Sequence, residues 1–251
     1  MRERGLATPQ LVVALDVPTL EEARRLVALL LPAVRRFKIG LELFTAAGPE
    51  SVSAVQQAGG SVLLDLKLHD IPNTVSGAVR SAARLGVEMV TLHLAGGAAM
   101  VRAAVDAARA EGGTPLLLGV IRLTSEPEPI ANPAPILDRE AASPGAAWSR
   151  VVADAALAAA TLGLDGVVVS AHEVPWVREA CPPGFLTLTP GIRPEGAGAD
   201  DQARVATPAE AARAGSDLIV VGRPITRAED PLRAALDILR EMEPAGAPTR
   251  A

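Results

Sequence analysis

The stretch SVLLDLKLHDIPNT, residues 61–74, decides how this chain folds, because it contains a strand, a charged loop and the start of a helix. Ser61–Leu66 is a mostly apolar run that does not alternate with polar residues, which is typical of a strand covered on both faces in a parallel sheet. The proline at position 72 restricts Ile71 to extended backbone. We therefore expect the next helix to begin at Pro72 or Asn73.

The same order of strand, loop and helix repeats along the 251 residues. The predicted strands are Leu11–Asp16, Val34–Gly40, Ser61–Leu66, Met89–His93, Pro115–Val120, Gly166–Ser170, Phe185–Thr189 and Asp217–Gly222. The predicted helices are Leu20–Leu31, Pro49–Ala58, Asn73–Leu85, Ala98–Ala110, Ala147–Leu162, Glu173–Ala180, Pro208–Ala214 and Pro231–Glu241. This number of units in one chain predicts a single-domain (β/α)₈ barrel over residues 1–251, with 243–251 as a frayed tail.

Composition excludes several classes of function. A net charge of −5 and the absence of tyrosine argue against a nucleic-acid partner. Cys181 is the only cysteine, so no internal disulfide is expected, and the three histidines lack the spacing of metal ligands. Residues 1–10 do not resemble a secretory signal, and no apolar run reaches membrane-spanning length. We expect a cytoplasmic protein without a metal or a membrane partner.

Lysine is almost absent from the chain. Of 24 basic residues only Lys38 and Lys67 are lysines, and the others are arginines. Arginine suits a surface charge or a phosphate contact, but proton transfer requires an ammonium, because a guanidinium stays protonated. Compositional bias alone is an equally good explanation until the positions of the two lysines are considered.

Both lysines fall near the predicted carboxyl ends of strands, where barrel enzymes carry their active sites. Asp16 ends the first predicted strand, Lys38 lies in the second, and Asp65 and Lys67 lie at the end of the third. Asp65 and Lys67 are two residues apart, so a pleated strand would point both side chains to the same side. A single pair would indicate an ordinary salt bridge, but several converging charges are costly to bury and favour a functional site.

A second group of polar residues follows the seventh and eighth strands, where barrels commonly bind phosphate. Arg193 follows strand seven, Gly222 lets a ligand approach the backbone, and Arg223 offers a bidentate donor. Gln202 lies between them in sequence, and we expect the loop 194–201 to close over a ligand. Taken alone, either Arg193 or Arg223 could instead be a solvated charge in a loop.

The longest irregular stretch, 124–144, is proline-rich and follows the fifth predicted strand. Its first residues, Thr124 and Ser125, are placed to contact a ligand or to form a simple turn. Irregular segments of this length are usually functional. A lid or a dimer contact is therefore predicted in preference to a second domain.

The stretch from Asp65 to Thr74 resembles the DxKxxDIPxT signature of the orotidine 5′-phosphate decarboxylase family, and nearly the whole chain resembles its bacterial branch. Further matching segments are Ala14-Leu15-Asp16, Phe37-Lys38-Ile39-Gly40, Leu123-Thr124-Ser125, Thr189-Pro190-Gly191-Ile192-Arg193, Asp201-Gln202-Ala203-Arg204 and Val221-Gly222-Arg223-Pro224-Ile225-Thr226. The resemblance implies decarboxylation of orotidine 5′-phosphate to UMP without a cofactor.

The resemblance also implies a role for each site residue. Lys67 would protonate C6 of the pyrimidine, Asp65 would face the departing carboxylate, and Lys38 would hold Asp65 and the ribose hydroxyls. The remaining substrate contacts would be ribose to Asp16, pyrimidine to Thr124 and Ser125, and phosphate to Arg193, Gln202, Gly222 and Arg223. A homodimer is implied, with Asp70, Ile71 and Thr74 reaching the site of the partner subunit.

Two other functions remain open at this point. Metal-dependent sugar-phosphate decarboxylases and aldolases of the same superfamily share an Asp-x-Lys-x-x-Asp core, but they would carry a metal-binding glutamate near strand two, where this chain has Lys38. A non-catalytic barrel that only binds a nucleotide is the other. Loss of activity with a chelator would support the first, and UMP binding without release of CO₂ would support the second.

Overall fold

Eight parallel strands close into a barrel in a computed structural model that describes residues 9–123, 147–194 and 205–243. Each strand pairs with the next one in the chain, and β8 pairs with β1. The strands are β1 Gln10–Ala14, β2 Arg36–Ile39, β3 Ser61–Leu68, β4 Met89–His93, β5 Leu116–Val120, β6 Gly166–Val168, β7 Leu186–Thr189 and β8 Leu218–Val221. The predicted (β/α)₈ barrel is confirmed.

Helices connect the strands on the outside of the barrel. They are α1 Leu20–Leu30, α2 Leu41–Ala47, α3 Pro49–Gln57, α4 Pro72–Arg84, α5 Gly97–Ala110, α6 Trp148–Thr161, α7 Val174–Ala180, α8 Pro208–Arg213, α9 Arg223–Thr226 and α10 Pro231–Glu241. Helix α4 begins at Pro72, as the stretch 61–74 predicts, and Ile71 before it is extended with φ −57° and ψ 151°. No helix in the described part of the chain has both the length and the apolar character needed to span a membrane.

Helices α2 and α9 were not predicted from the sequence. Each is short and buries a single hydrophobic side chain, Leu43 in α2 and Ile225 in α9, so neither shows an amphipathic period. Strand β3 is also longer than predicted, since it continues to Leu68 after an irregularity in its pairing with β4. The predicted tail 243–251 lies, apart from Glu243, outside the described residues.

The hydrophobic core has two layers because the strands are apolar on both faces. In β1, Val12 and Ala14 belong to the cluster inside the barrel, whereas Leu11 and Val13 belong to the cluster between strands and helices. The inner cluster contains Val12, Ala14, Leu63, Met89, Leu118, Val120, Val168, Leu188, Leu218 and Val220. These side chains fill the interior, as in other barrels of this type, so the barrel is not a pore.

A polar network joins α7 to the amino-terminal ends of β7 and β8. The Arg178 guanidinium donates to the carboxylate of Asp217, to Thr187 Oγ1 at 2.9 Å and to the carbonyl oxygens of Phe185 and Gly215, each at 2.7 Å. The backbone N–H of Thr187 donates to Asp217 Oδ2 at 2.7 Å. The Asp217 side chain is only 3% exposed, so its removal leaves buried donors without an acceptor.

We expect Asp217→Ala to lower the free energy of unfolding by about 2–4 kcal/mol, because removing one member of a buried ion pair leaves its partners unsatisfied. In a chain of this size each kcal/mol corresponds to about 2–4 °C in Tm. The matched control is Asp237→Ala, where the side chain is 50% exposed and pairs with Arg233 and Arg240 on one face of α10. Thermal and urea unfolding should show a change within about 0.5 kcal/mol for the control. Equal losses in the two variants would contradict a stabilising role for this network.

Candidate active site

A pocket of about 430 Å³ lies at the carboxyl ends of the strands, a size within the usual range for small-molecule sites. Seven of the eight strands, all except β4, contribute residues to its wall, and residues that follow the strands complete it. The predicted site residues that line it are Asp16, Lys38, Asp65, Lys67, Arg193, Gly222 and Arg223. The structure therefore brings the predicted charged group and the predicted phosphate group into one cavity.

Four charged side chains form a row of alternating sign along one wall of the pocket. Lys38 Nζ donates to Asp16 Oδ1 at 2.9 Å and lies 3.4 Å from Asp65 Oδ2. Lys67 Nζ donates to Asp65 Oδ1 at 2.9 Å and to Oδ2 at 3.0 Å. Asp65 is thus held between the two lysines of the chain. Its carboxylate accepts two hydrogen bonds from Lys67 on β3 and forms an ion pair with Lys38 on β2.

Burial and neighbouring charges shift the pKa values of Lys38 and Asp65 in opposite directions. The side chains of Lys38 and Asp65 are each 12% exposed. Burial alone would raise the pKa of Asp65, but the charges of Lys38 and Lys67 outweigh it and hold that pKa below its ordinary value. Burial would likewise lower the pKa of Lys38, and the charges of Asp65 and Asp16 raise it instead. Both groups therefore stay ionised in the folded protein near neutral pH.

The backbone at Lys67 differs from the expectation of a pleated strand. Lys67 has φ +49°, the left-handed conformation that residues other than glycine rarely adopt. The pairing of β3 with β4 shifts between Leu64 and Leu68, so the simple two-residue alternation does not apply there. The contact between Asp65 and Lys67 confirms that they point to the same side. The pleat of a regular strand, from which this was predicted, is not the cause.

Thr91, which the sequence analysis missed, contacts this irregular segment from β4. Its hydroxyl oxygen accepts from the backbone N–H of Lys67 at 3.0 Å and donates to Asp65 Oδ1 at 2.8 Å. Thr91 is fully buried among apolar neighbours of β4. Threonine is common in strands, so the only available signal was a polar residue in an otherwise apolar run.

Gly40 allows the backbone to approach the charged row. A Cβ atom at this position would lie 3.0 Å from both Asp16 Oδ1 and Lys38 Nζ. A side chain there would push apart the two atoms that form the ion pair. The glycine after β2 therefore belongs to the geometry of the site, although it does not itself supply a functional group.

The part of the pocket wall that follows β5, β7 and β8 is rich in guanidinium groups. Arg193 is buried after β7, and Arg223 begins α9 directly after Gly222. Arg122 and Arg227 also line the pocket and were not predicted, because single arginines do not stand out in an arginine-rich chain. Glu42, in the first turn of α2, is a carboxylate that lines the pocket and was not predicted from the sequence. The predicted contacts Thr124, Ser125 and Gln202 lie outside the described residues, as do most of the loop 194–201 and the stretch 124–144.

Three predicted residues do not line the pocket of their own chain. Asp70, Ile71 and Thr74 are exposed around the start of α4, and Ile71 is 65% exposed. Asp70 Oδ1 accepts from the backbone N–H of Ile71 at 2.6 Å. A single chain therefore leaves these side chains on its surface beside the site.

The histidines near the strand ends have structural contacts. The rings of His69 and His93 stack with centroids 5.5 Å apart, and His93 Nδ1 accepts from the backbone N–H of Ala95. Among residues 9–123, 147–194 and 205–243, no group of three or more histidine, cysteine, aspartate or glutamate side chains is arranged to hold a metal ion.

Comparison with known proteins gives one family. The model of the "Orotidine 5′-phosphate decarboxylase / HUMPS family" matches residues 9–238. The chain is 47% identical over 242 residues to an orotidine 5′-phosphate decarboxylase of Moorella thermoacetica, with 94% of this chain and 93% of that protein covered. It is 49% identical over 242 residues to one of Nitratidesulfovibrio vulgaris, covering 93% and 97%. The crystal structure of the Lactobacillus acidophilus orotidine 5′-phosphate decarboxylase superimposes with a TM-score of 0.75 at 36% identity, covering 94% of this chain and 100% of that one.

The lowered pKa of Asp65 predicts how stability depends on pH. Below its ordinary value of 3.8, the unfolded chain binds a proton at this residue that the folded protein does not bind. The contribution of Asp65 to stability is therefore complete above that value and is lost as pH falls through the folded-state pKa. We expect the difference in free energy of unfolding between wild type and Asp65→Asn to be constant above about pH 5 and to shrink below pH 4. Urea unfolding at several pH values measures it, and a difference that does not vary with pH would contradict the assignment.

Proposed function

Because the chain belongs to the orotidine 5′-phosphate decarboxylase / HUMPS family, we propose that it is a carboxy-lyase that converts orotidine 5′-phosphate to UMP and CO₂ without a cofactor. The observation that carries the proposal is the row Asp16–Lys38–Asp65–Lys67 in a pocket that arginines also line. That row offers an ammonium for a developing carbanion. The arginines offer a binding site for a phosphate.

The reaction needs stabilisation of negative charge at one carbon atom. When the bond between C6 and the carboxylate breaks, its electron pair stays on C6 and CO₂ leaves. The Lys67 ammonium, fixed in advance by two hydrogen bonds to Asp65, stabilises that charge and then transfers a proton to C6. Solvent returns the proton to Lys67. No electron acceptor enters this balance, and therefore no cofactor is required by it.

Asp65 holds Lys67 in place and lies beside the position of the departing carboxylate. Its carboxylate stays ionised because Lys38 and Lys67 lower its pKa. Repulsion between Asp65 and the substrate carboxylate is a contested source of rate enhancement, and the proposed mechanism does not depend on it. The function of Asp65 is to orient one ammonium at the reacting carbon.

Lys38 and Asp16 are assigned to the ribose. Both line the pocket, and the 2.9 Å contact between Lys38 Nζ and Asp16 Oδ1 pairs a donor with an acceptor. Sugar hydroxyl groups can donate and accept at once, so such a pair suits two neighbouring hydroxyls. These residues place the ribose between the reacting ring and the phosphate.

The phosphate is assigned to Arg193, Gly222 and Arg223, with Gln202 as a further contact. The first three lie after β7 and β8, the usual phosphate position in barrels of this type. Thr124 and Ser125 are assigned to the pyrimidine. Binding energy from the phosphate, which does not react, can be used to assemble the site around C6.

We also propose that the active unit is a homodimer in which Asp70, Ile71 and Thr74 complete the partner's site. They are exposed in one chain and lie a few residues after Lys67 in the same loop and helix start. A large hydrophobic side chain such as Ile71, exposed next to a catalytic loop, fits a surface that a second copy covers.

Replacement of Lys67 by arginine tests the proton donor. We expect Lys67→Arg to reduce kcat by about 10²- to 10⁴-fold, the usual contribution of a general acid, while UMP binding changes little. The assay follows the loss of orotidine absorbance with time. The control is Arg24→Lys, an exposed α1 residue that pairs with Glu50 and should retain full activity.

The same assay decides between the proposal and its alternatives. Near-normal turnover in Lys67→Arg would remove Lys67 from the proton-transfer step. Activity that disappears in wild type on addition of a chelator would favour a metal-dependent decarboxylase. UMP binding without any release of CO₂ would favour a non-catalytic nucleotide-binding barrel.

Mixing two inactive variants tests the shared site. Lys67→Arg and Asp70→Asn are each expected to be inactive, but a mixed dimer has both changes in one site and none in the other. After subunits exchange at equal concentrations, we expect about one quarter of wild-type activity, since half the dimers are mixed and each has one intact site. Activity that stays at the level of the separate variants would place Asp70 in its own chain's site or outside catalysis.

A further inference from the structure

We propose that Thr91 is a positioning residue, whose hydroxyl group sets the relative placement of the Lys67 ammonium and the Asp65 carboxylate. The inference rests on the proposed function, because it assigns Thr91 a role in the same reaction. Thr91 lies on β4 and is not among the residues that line the pocket. It therefore acts through the two residues that it touches.

The hydrogen bonds of Thr91 define the orientation of its hydroxyl group. Its Oγ1 lies 3.0 Å from the backbone nitrogen of Lys67 and 2.8 Å from Asp65 Oδ1. A backbone N–H can only donate, and an ionised carboxylate can only accept. The single hydroxyl proton must therefore point at Asp65. Threonine is branched at Cβ, which restricts its side chain to few rotamers and makes this direction stiff.

The first of these bonds stabilises an unusual backbone. Lys67 is the only residue other than glycine with a positive φ in the described part of the chain. Regular pairing with β4 is interrupted there, and the Lys67 N–H donates to the side chain of Thr91. The left-handed conformation directs the Lys67 side chain back toward Asp65, where the two form a doubly hydrogen-bonded contact. Thr91 thus contacts the residue whose conformation places the ammonium.

The second bond reaches the same ammonium by another path. Asp65 Oδ1 accepts from both Thr91 Oγ1 at 2.8 Å and Lys67 Nζ at 2.9 Å. One hydroxyl group is therefore linked to the backbone of Lys67 directly and to its charged end through one carboxylate oxygen. Because Thr91 is fully buried, water cannot replace either bond after the hydroxyl is removed.

Two substitutions at Thr91 distinguish the effect of losing the hydrogen bonds from the effect of changing the side-chain shape. Thr91→Val keeps the branched shape and removes both hydrogen bonds, and Thr91→Ser keeps the hydroxyl and removes the methyl group. We expect kcat of Thr91→Val to fall about 10- to 100-fold with KM within about threefold of wild type, since the lost interaction acts in the chemical step. Thr91→Ser should recover kcat to within about fivefold of wild type.

The matched control is Thr189→Val. Thr189 is also fully buried in a strand, but its hydroxyl bonds to Ser216 Oγ at 2.8 Å, and the residue does not line the pocket. This variant should lose stability without a comparable loss of kcat. If Thr91→Val does not fold, Thr91→Cys replaces it, because cysteine is close to threonine in volume and its thiol donates only weakly. Its kcat should then lie well below that of Thr91→Ser.

The outcomes distinguish this inference from the proposed function. A wild-type enzyme that does not decarboxylate orotidine 5′-phosphate would overturn the proposed function itself. With an active wild type, unchanged kcat in Thr91→Val, or equal losses in Thr91→Val and Thr189→Val, would overturn the role of Thr91. A fall in kcat that Thr91→Ser restores supports it, since a merely structural threonine would change the melting temperature and not the split between kcat and KM.

Discussion

The geometry of the pocket depends on the burial of one carboxylate between two ammonium groups. Asp65 is almost enclosed, and a buried carboxylate without partners would be strongly destabilising. Lys38 and Lys67 approach it from two strands, Asp16 balances Lys38, and Gly40 leaves room for that pair. The left-handed turn at Lys67 and the register shift beside it lie in the same segment as Asp65.

The two kinds of basic residue in the pocket wall belong to different strands of the barrel. Lysine occurs only in the row that contacts Asp65, whereas the basic residues that line the pocket after β7 and β8 are arginines. This division matches the chemistry, because an ammonium is compact and can transfer its proton, and a guanidinium binds planar or tetrahedral anions through several donors. The proposed reaction therefore explains why lysine is kept at positions 38 and 67 in a chain that otherwise uses arginine. The structure adds that both lysines bind the same carboxylate.

Sequence alone predicts the barrel and all four residues of the charged row, since apolar strand patterns and the placement of sites at strand ends are general properties of this architecture. It does not predict the backbone at Lys67, where a left-handed residue replaces the pleat. Thr91 was missed because its importance depends on a contact between neighbouring strands, which no pattern within one strand reveals. The assignment of Asp70 to a partner's site comes from the resemblance to the family, because no pattern within one chain indicates which residues a second copy receives.

The packed interior of the barrel has a consequence for the order of events during turnover. The inner cluster, from Val12 to Val220 in chain order, closes the barrel below the charged row, and the pocket opens at the other end. Nucleotide substrate and nucleotide product then share one entrance, and a bound UMP occupies the space that the next substrate must enter. In the proposed reaction, carbon dioxide would form beside Asp65 and would leave past the nucleotide or after it. Each cycle therefore ends with the departure of the nucleotide from the end of the barrel at which the next substrate enters.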